Sequence, residues 1–144
     1  LSSKIEDDVR EHLQRKDQWM VLTTLGKDGF PHSVPLGYFL VGDSIILPCK
    51  DGTQKVRNAE REPKVSLLWE NGRGADHLIG IMFRGYARVV RDHEGRLALK
   101  QEACRQRGEE IPSSVGDGFV YIEVKPEKTV YWNRPSRATP RHKS

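Results

Sequence analysis

Apolar positions in this chain recur with two different periods. Ile5, Val9 and Leu13 follow one another at four-residue spacing behind Ser3-Lys4-Ile5-Glu6, which has the form of a capping box, so an amphipathic helix ending near Lys16 is predicted. Trp19 to Leu25 is rich in residues that suit a pleated surface, and Lys27-Asp28-Gly29 follows as a tight turn. Phe30 to Leu40 reads as the returning strand. Pro31 and Pro35 lack an amide donor, so this strand needs an irregular or unpaired edge, which leaves room for a ligand. Val41-Gly42-Asp43 is the next turn, and Ser44 to Pro48 is a short apolar strand that extends the meander.

Thr53 is placed to cap a helix through Val56 and Ala59 that Pro63 stops. Lys64 to Trp69 then alternates Val65, Leu67 and Trp69 on one face with Ser66 and Leu68 on the other. After a loop at Asn71-Gly72-Arg73-Gly74, a long apolar stretch from His77 to Val90 is interrupted at Arg84-Gly85, where a strand can bend. Asp92 to Arg107 is predicted helical and Gly108 to Gly118 a loop. Phe119–Val124 and Thr129–Trp132 read as two final strands separated by Lys125-Pro126-Glu127. Parallel neighbours need crossovers of about a dozen residues, and these connections are mostly tight turns, so the fold class is mainly β, an antiparallel barrel with added short helices.

At 144 residues the chain suits one domain, expected over residues 1–133 with a basic tail at 134–144. No segment approaches the roughly 20 apolar residues of a membrane span, so no membrane partner is expected and a cytoplasmic location is. The net charge of +4 raises the question of nucleic acid, but much of the excess lies at Arg134, Arg137, Arg141 and Lys143 in the tail. The barrel is then nearly neutral, the tail reads as solvated and flexible, and no nucleic-acid partner is expected. Cys49 and Cys104 lack disulfide or C-x-x-C spacing and are expected as free thiols. The five histidines show no ligand spacing, so no metal site is expected, and no nucleophile motif supports covalent hydrolysis. His32 can act near neutral pH, yet strand alternation puts it on the face opposite Ser33, which favours a structural role. Trp19, Trp69 and Trp132 lie in apolar strands and read as core or interface residues.

The stretch that carries chemistry is Leu47-Pro48-Cys49-Lys50-Asp51-Gly52-Thr53-Gln54-Lys55-Val56-Arg57-Asn58. A strand ends in a Gly-containing loop and a helix begins with a hydroxyl and a lysine. The first amides of a helix have no internal partners and carry the positive end of its dipole, which suits a phosphate. Thr53 offers a hydroxyl, Lys55 a full charge in the first turn, and Gly52 a backbone open to close approach. Arg57 reaches the same anion or faces solvent. Ordinary helix capping with a solvated lysine is the competing reading.

The order of neighbouring pieces strengthens the phosphate reading. Thr23-Thr24-Leu25, then Asp28-Gly29-Phe30-Pro31-His32-Ser33-Val34-Pro35, then Thr53-Gln54-Lys55-Val56-Arg57-Asn58 and Glu62-Pro63-Lys64-Val65-Ser66-Leu67 together resemble the pyridoxamine 5'-phosphate oxidase-like, flavin-binding split-barrel superfamily. The likeness is good over roughly Trp19 to Val90 and looser elsewhere. It implies a split β-barrel of six to seven antiparallel strands with flanking short helices, a homodimer, and FMN at the subunit interface, with F420 as the alternative cofactor. Gly52-Thr53-Gln54-Lys55 stands where the family binds phosphate through Gly-Ser-Arg-Lys, with Gln54 in place of the arginine. Ser33, Val34, Pro35 and Leu36 correspond to the strand beside the flavin ring, and Pro48 and Cys49 to further cofactor contacts. Gly80 falls where the family often has a glutamine facing the flavin, and Trp132 resembles the aromatic contributed by the partner subunit or is simply part of an apolar last strand. Val34 and Phe39 replace the family's cationic arginine and lysine, which argues against pyridoxamine phosphate oxidase activity itself. The expected function is hydride transfer between FMN and a small or hydrophobic substrate; the alternatives are an F420-dependent reductase of the same fold or a non-catalytic flavin- or haem-binding protein.

Overall fold

In the computed structural model the described residues are 4–14, 18–72 and 76–135. Seven strands make one antiparallel sheet: β1 (Trp19–Leu25), β2 (Pro31–Gly37), β3 (Phe39–Val41), β4 (Ser44–Lys50), β5 (Lys64–Glu70), β6 (His77–Val90) and β7 (Phe119–Pro135). The spatial order is β2-β1-β5-β6-β7-β4-β3, and three helices accompany it, α1 (Asp7–Leu13), α2 (Gln54–Arg61) and α3 (His93–Arg107). The sheet curls until β2 lies beside β4 with no ladder joining them, so the barrel is split along that line. Both prolines of β2 sit on this edge strand, where a missing donor is tolerated.

Alternation builds the interior. Leu22 stands opposite Leu67 and Leu67 opposite Phe83, and all three are fully buried. Replacing Phe83 by Ala would cost about 3–5 kcal/mol of stability, the usual range for a buried aromatic. β4 departs from alternation because both its faces are covered. Ile45, Leu47 and Cys49 join the barrel core, while Ile46 joins Phe39, Val90, Ala103 and Tyr121 beneath α3. Phe39, in the place of a family lysine, is therefore packed, edge-on to Tyr121 at 5.5 Å between ring centroids.

The sequence misplaces several boundaries for identifiable reasons. α1 begins at Asp7, later than the capping box implies, because Asp43 on the β3–β4 turn accepts the Ile5 amide at 3.0 Å and the Arg10 guanidinium at 2.7 Å. Ser3 and Lys16 lie outside the described residues. The helix ends at Leu13, whose carbonyl accepts the Tyr38 hydroxyl at 2.6 Å. The return strand is broken at the same Tyr38 into β2 and β3. The last two predicted strands are one: β7 runs unbroken through Lys125-Pro126-Glu127. The irregularity is absorbed as a bulge at Arg84/Gly85, where a Cβ on Gly85 would lie 2.4 Å from the Lys125 carbonyl oxygen. Arg134 belongs to this strand, opposite Leu78, and residues 136–144 lie outside the described set. No described helix is long and apolar enough to cross a membrane.

Candidate functional site

The corner between β4 and α2 is built as the sequence order suggests, with one change. Gly52 adopts φ +79°, a left-handed conformation that turns the chain out of β4, and nothing lies within 4 Å of where its Cβ would be. The positive φ, not crowding within the chain, is what calls for glycine. Thr53 occupies the N-cap position in extended conformation, yet its hydroxyl donates to the Lys50 carbonyl at 2.9 Å and makes no cap. The amides of Gln54, Lys55 and Val56 therefore have no acceptor among the described residues, and they carry the positive end of the α2 dipole. An uncapped helix start lined by cations fits an anion.

Arg57 is held at this corner. Its guanidinium donates to the Gly52 carbonyl at 2.6 Å and to Gln54 Oε1 at 2.8 Å. Gln54, in the place of a family arginine, thus fixes another arginine beside the helix start. Lys55 is half-buried and near enough to Cys49 to act on its ionisation. Burial pushes the Cys49 thiol up to about 11, the Lys55 charge offsetting only part of this, so the thiol stays neutral near pH 7 and is no nucleophile. Asp51 brings a carboxylate to the corner. It accepts the Gly52 amide at 2.8 Å and the Arg91 guanidinium at 3.0 Å, and the hydrogen bond from Arg91 holds it below the usual carboxylate range. Arg91 also pairs with Glu60, so it ties the loop before α2 to the helix's outer face.

Behind the corner sits Asn58, which sequence reasoning passed over. It is fully buried, donates to Thr24 Oγ1 at 3.1 Å and accepts from Gln54 Nε2 at 2.7 Å. An amide four residues after Gln54, between the apolar Val56 and Ala59, was the available signal: a polar group on the packed face of a helix needs partners.

The remaining predicted residues are spread along the strands. On β2, Val34 and Leu36 turn inward and Ser33 and Pro35 outward; Ser33 Oγ lies 2.8 Å from Thr23 Oγ1. His32 shares the inward face, opposite Thr24, and its Nδ1 is buried without a hydrogen-bond partner among the described residues. Pro48 is half-buried and Cys49 buried at the end of β4. Gly80 and Trp132 stand directly opposite each other on β6 and β7, and the indole covers Gly80 so closely that a Cβ there would lie 2.2 Å from it. Tyr121 pairs with Pro48, and from Tyr121 to Trp132 is on the order of 35 Å of strand at about 3.3 Å per residue. The fold thus unites Cys49, Thr53, Gln54, Lys55 and Arg57, and leaves Gly80 and Trp132 apart from them along β7.

Residues 5–133 match the sequence profile of the family described as Pyridoxamine 5'-phosphate oxidase. No curated protein matches the sequence. Among solved structures, a conserved hypothetical protein from Mycobacterium tuberculosis is similar with a TM-score of 0.71 and 22% identity, over 97% of this chain and 95% of that one. The heme storage protein of Vibrio cholerae is similar with a TM-score of 0.68 and 20% identity, over 91% and 95%. An F420 reductase is similar with a TM-score of 0.59 and 21% identity, over 83% and 94%. Identities this low establish a shared fold.

Proposed function

This chain belongs to the pyridoxamine 5'-phosphate oxidase family, and on that premise we propose that it is an FMN-binding oxidoreductase. The observation that carries the proposal is the uncapped start of α2, where three free amides, Lys55 and the pinned Arg57 converge. Arg57 supplies the second charge that Gln54 lacks. The helix amides, Lys55 and Arg57 would hold the flavin phosphate, and Thr53 and Gly52 would shape the approach. Ser33, Val34, Pro35 and Leu36 would meet the flavin along the open edge of β2 rather than through one row of side chains, and Pro48 and Cys49 would close it from β4. Bound FMN supplies hydride transfer to or from a small or hydrophobic substrate. The chain's part is to orient the ring and exclude water.

The site is completed by a second copy of the chain. Pro35, Val21, Leu68, Met82 and Val130 stand opposite one another in sequence across five strands and form an apolar row on the outer sheet face, with Trp19 64% exposed beside it. A row of this extent suits a two-fold contact between identical faces, and the family resemblance implies that Trp132 of one copy then meets the flavin of the other. Sedimentation is expected to give a dimer, and Leu68→Glu to give monomers with weakened FMN binding.

The test is to titrate the purified chain with FMN, F420 and hemin, then add a reduced nicotinamide cofactor without oxygen. Saturable FMN binding followed by bleaching of the flavin band is expected. FMN that binds but is not reduced by any hydride donor would point to a storage or sensing protein, and uptake of F420 or hemin alone would replace the cofactor.

A further inference from the structure

The opposite end of α2 faces a second cationic region that the flavin reading leaves unused. A groove of about 490 Å³ opens across the end of β1, the start of β5 and the middles of β6 and β7, within the usual range of small-molecule sites. Register places Thr23 opposite Ser66, Ser66 opposite Arg84 and Arg84 opposite Lys128, so these four side chains share one face in one row. Lys64 flanks the row, opposite Tyr86. Like charges directly opposite on neighbouring strands repel, and neither Arg84, Lys128 nor Lys64 forms an ion pair with any described residue. Glu127, the extra residue at the β7 bulge, is the groove's one lining carboxylate, and it too makes no ion pair among the described residues. Three cations against one acid in a concavity hold an uncompensated positive field.

The walls show what kind of anion fits. Thr23 and Ser66 present hydroxyls along the row beside the cations. Tyr86 is 50% exposed, and Leu25 and Pro31 add apolar surface. The row lies on the same outer face as Val21, Leu68, Met82 and Val130, two residues along each strand, so the groove neighbours the proposed dimer contact and its polar, charged lining suits a compact anion. We infer that this groove binds a small organic oxyanion, a phosphate or carboxylate on a flat or apolar body, between Arg84, Lys128 and Lys64. The inference does not rest on the flavin assignment, because Arg61, near the far end of α2, bonds to Leu25 at the groove while Lys55 sits at the near end.

Calorimetric titration of the full chain with phenyl phosphate at low salt tests it, with inorganic phosphate as the probe of charge alone. With the α2 corner disabled by Lys55→Ala and Arg57→Ala, a saturable site is still expected, tighter for phenyl phosphate than for phosphate, and weakened about tenfold or more by adding Arg84→Gln or Lys128→Gln, since a charge-assisted hydrogen bond contributes on this scale. Lys55→Ala by itself is expected to leave the groove component of binding unchanged. Each glutamine variant removes half of a repelling pair, so both should melt no lower than the parent, and two variants on different strands guard against misfolding of either. Unsaturable binding, binding lost in Lys55→Ala alone, or phosphate binding as tightly as phenyl phosphate would overturn the inference.

Discussion

The two ends of α2 both gather positive charge, and they do so by different physics. At the start of the helix, the charge is largely directional: three amides of fixed orientation, with Lys55 and Arg57 one turn or less away in sequence. At the far end it is a field, assembled from Lys64 on β5, Arg84 on β6 and Lys128 on β7 by strand register alone. The corner also neutralises its own acid, since Arg91 holds Asp51, whereas the groove sets three cations against the single carboxylate of Glu127, with which none of them pairs among the described residues. The contrast teaches that the corner selects for geometry, as a phosphoryl group requires, and the groove for charge and a flat body.

The largest effect should come from removing both corner cations. Lys55→Ala with Arg57→Ala is expected to weaken FMN binding by about 100-fold, two charge-assisted bonds of roughly 1.5–3 kcal/mol each with partial redundancy, while groove binding stays within about twofold. Fluorescence titration reads both. Losing both ligands together would show that the two ends are not independent.

Asn58→Ala comes next. It removes the buried amide that joins α2 to Thr24 and orients Gln54, and it should lower stability by about 1–3 kcal/mol in denaturant unfolding, with a smaller loss of FMN affinity through Arg57. Unchanged stability would mean that the amide is not the link between helix and sheet. Gly52→Ala should cost about 1–2 kcal/mol, the strain of a left-handed residue with a side chain, because no contact adds to it.

How far these regions are legible in the sequence follows the same divide. The corner is contiguous, so Gly52, Thr53, Lys55 and Arg57 announce themselves in one reading, and the alternation of β1 and β5 gives the core. What spacing does not reveal is which way a capable side chain turns. Thr53 spends its hydroxyl on the Lys50 carbonyl, and Gln54 recruits Arg57. The groove is illegible because Arg84 and Lys128 are 44 positions apart and meet only through a register that the bulge at Gly85 resets. Likewise, a bulge allowed β7 to pass through Pro126 where local turn residues predict a break.

The smallest effect is in acid. Asp51 ionises below its ordinary 3.8 because Arg91 and the Gly52 amide favour the carboxylate, so its contribution to stability is present above 3.8 and disappears as pH falls through the lower folded value. Arg91→Gln should flatten this part of the pH–melting curve while leaving melting near neutral pH almost unchanged, as expected for an exposed pair. An identical acid limb in the variant would remove Arg91 as the cause.

The central claim is that the phosphate is held by the uncapped start of α2. Comparing FMN with riboflavin, which has the same ring and no phosphate, in the parent chain and in Lys55→Ala measures it most directly. The account predicts that FMN binds the parent chain far more tightly than riboflavin does, and that most of this gap closes in the variant; equal binding of the two in the parent chain would contradict it.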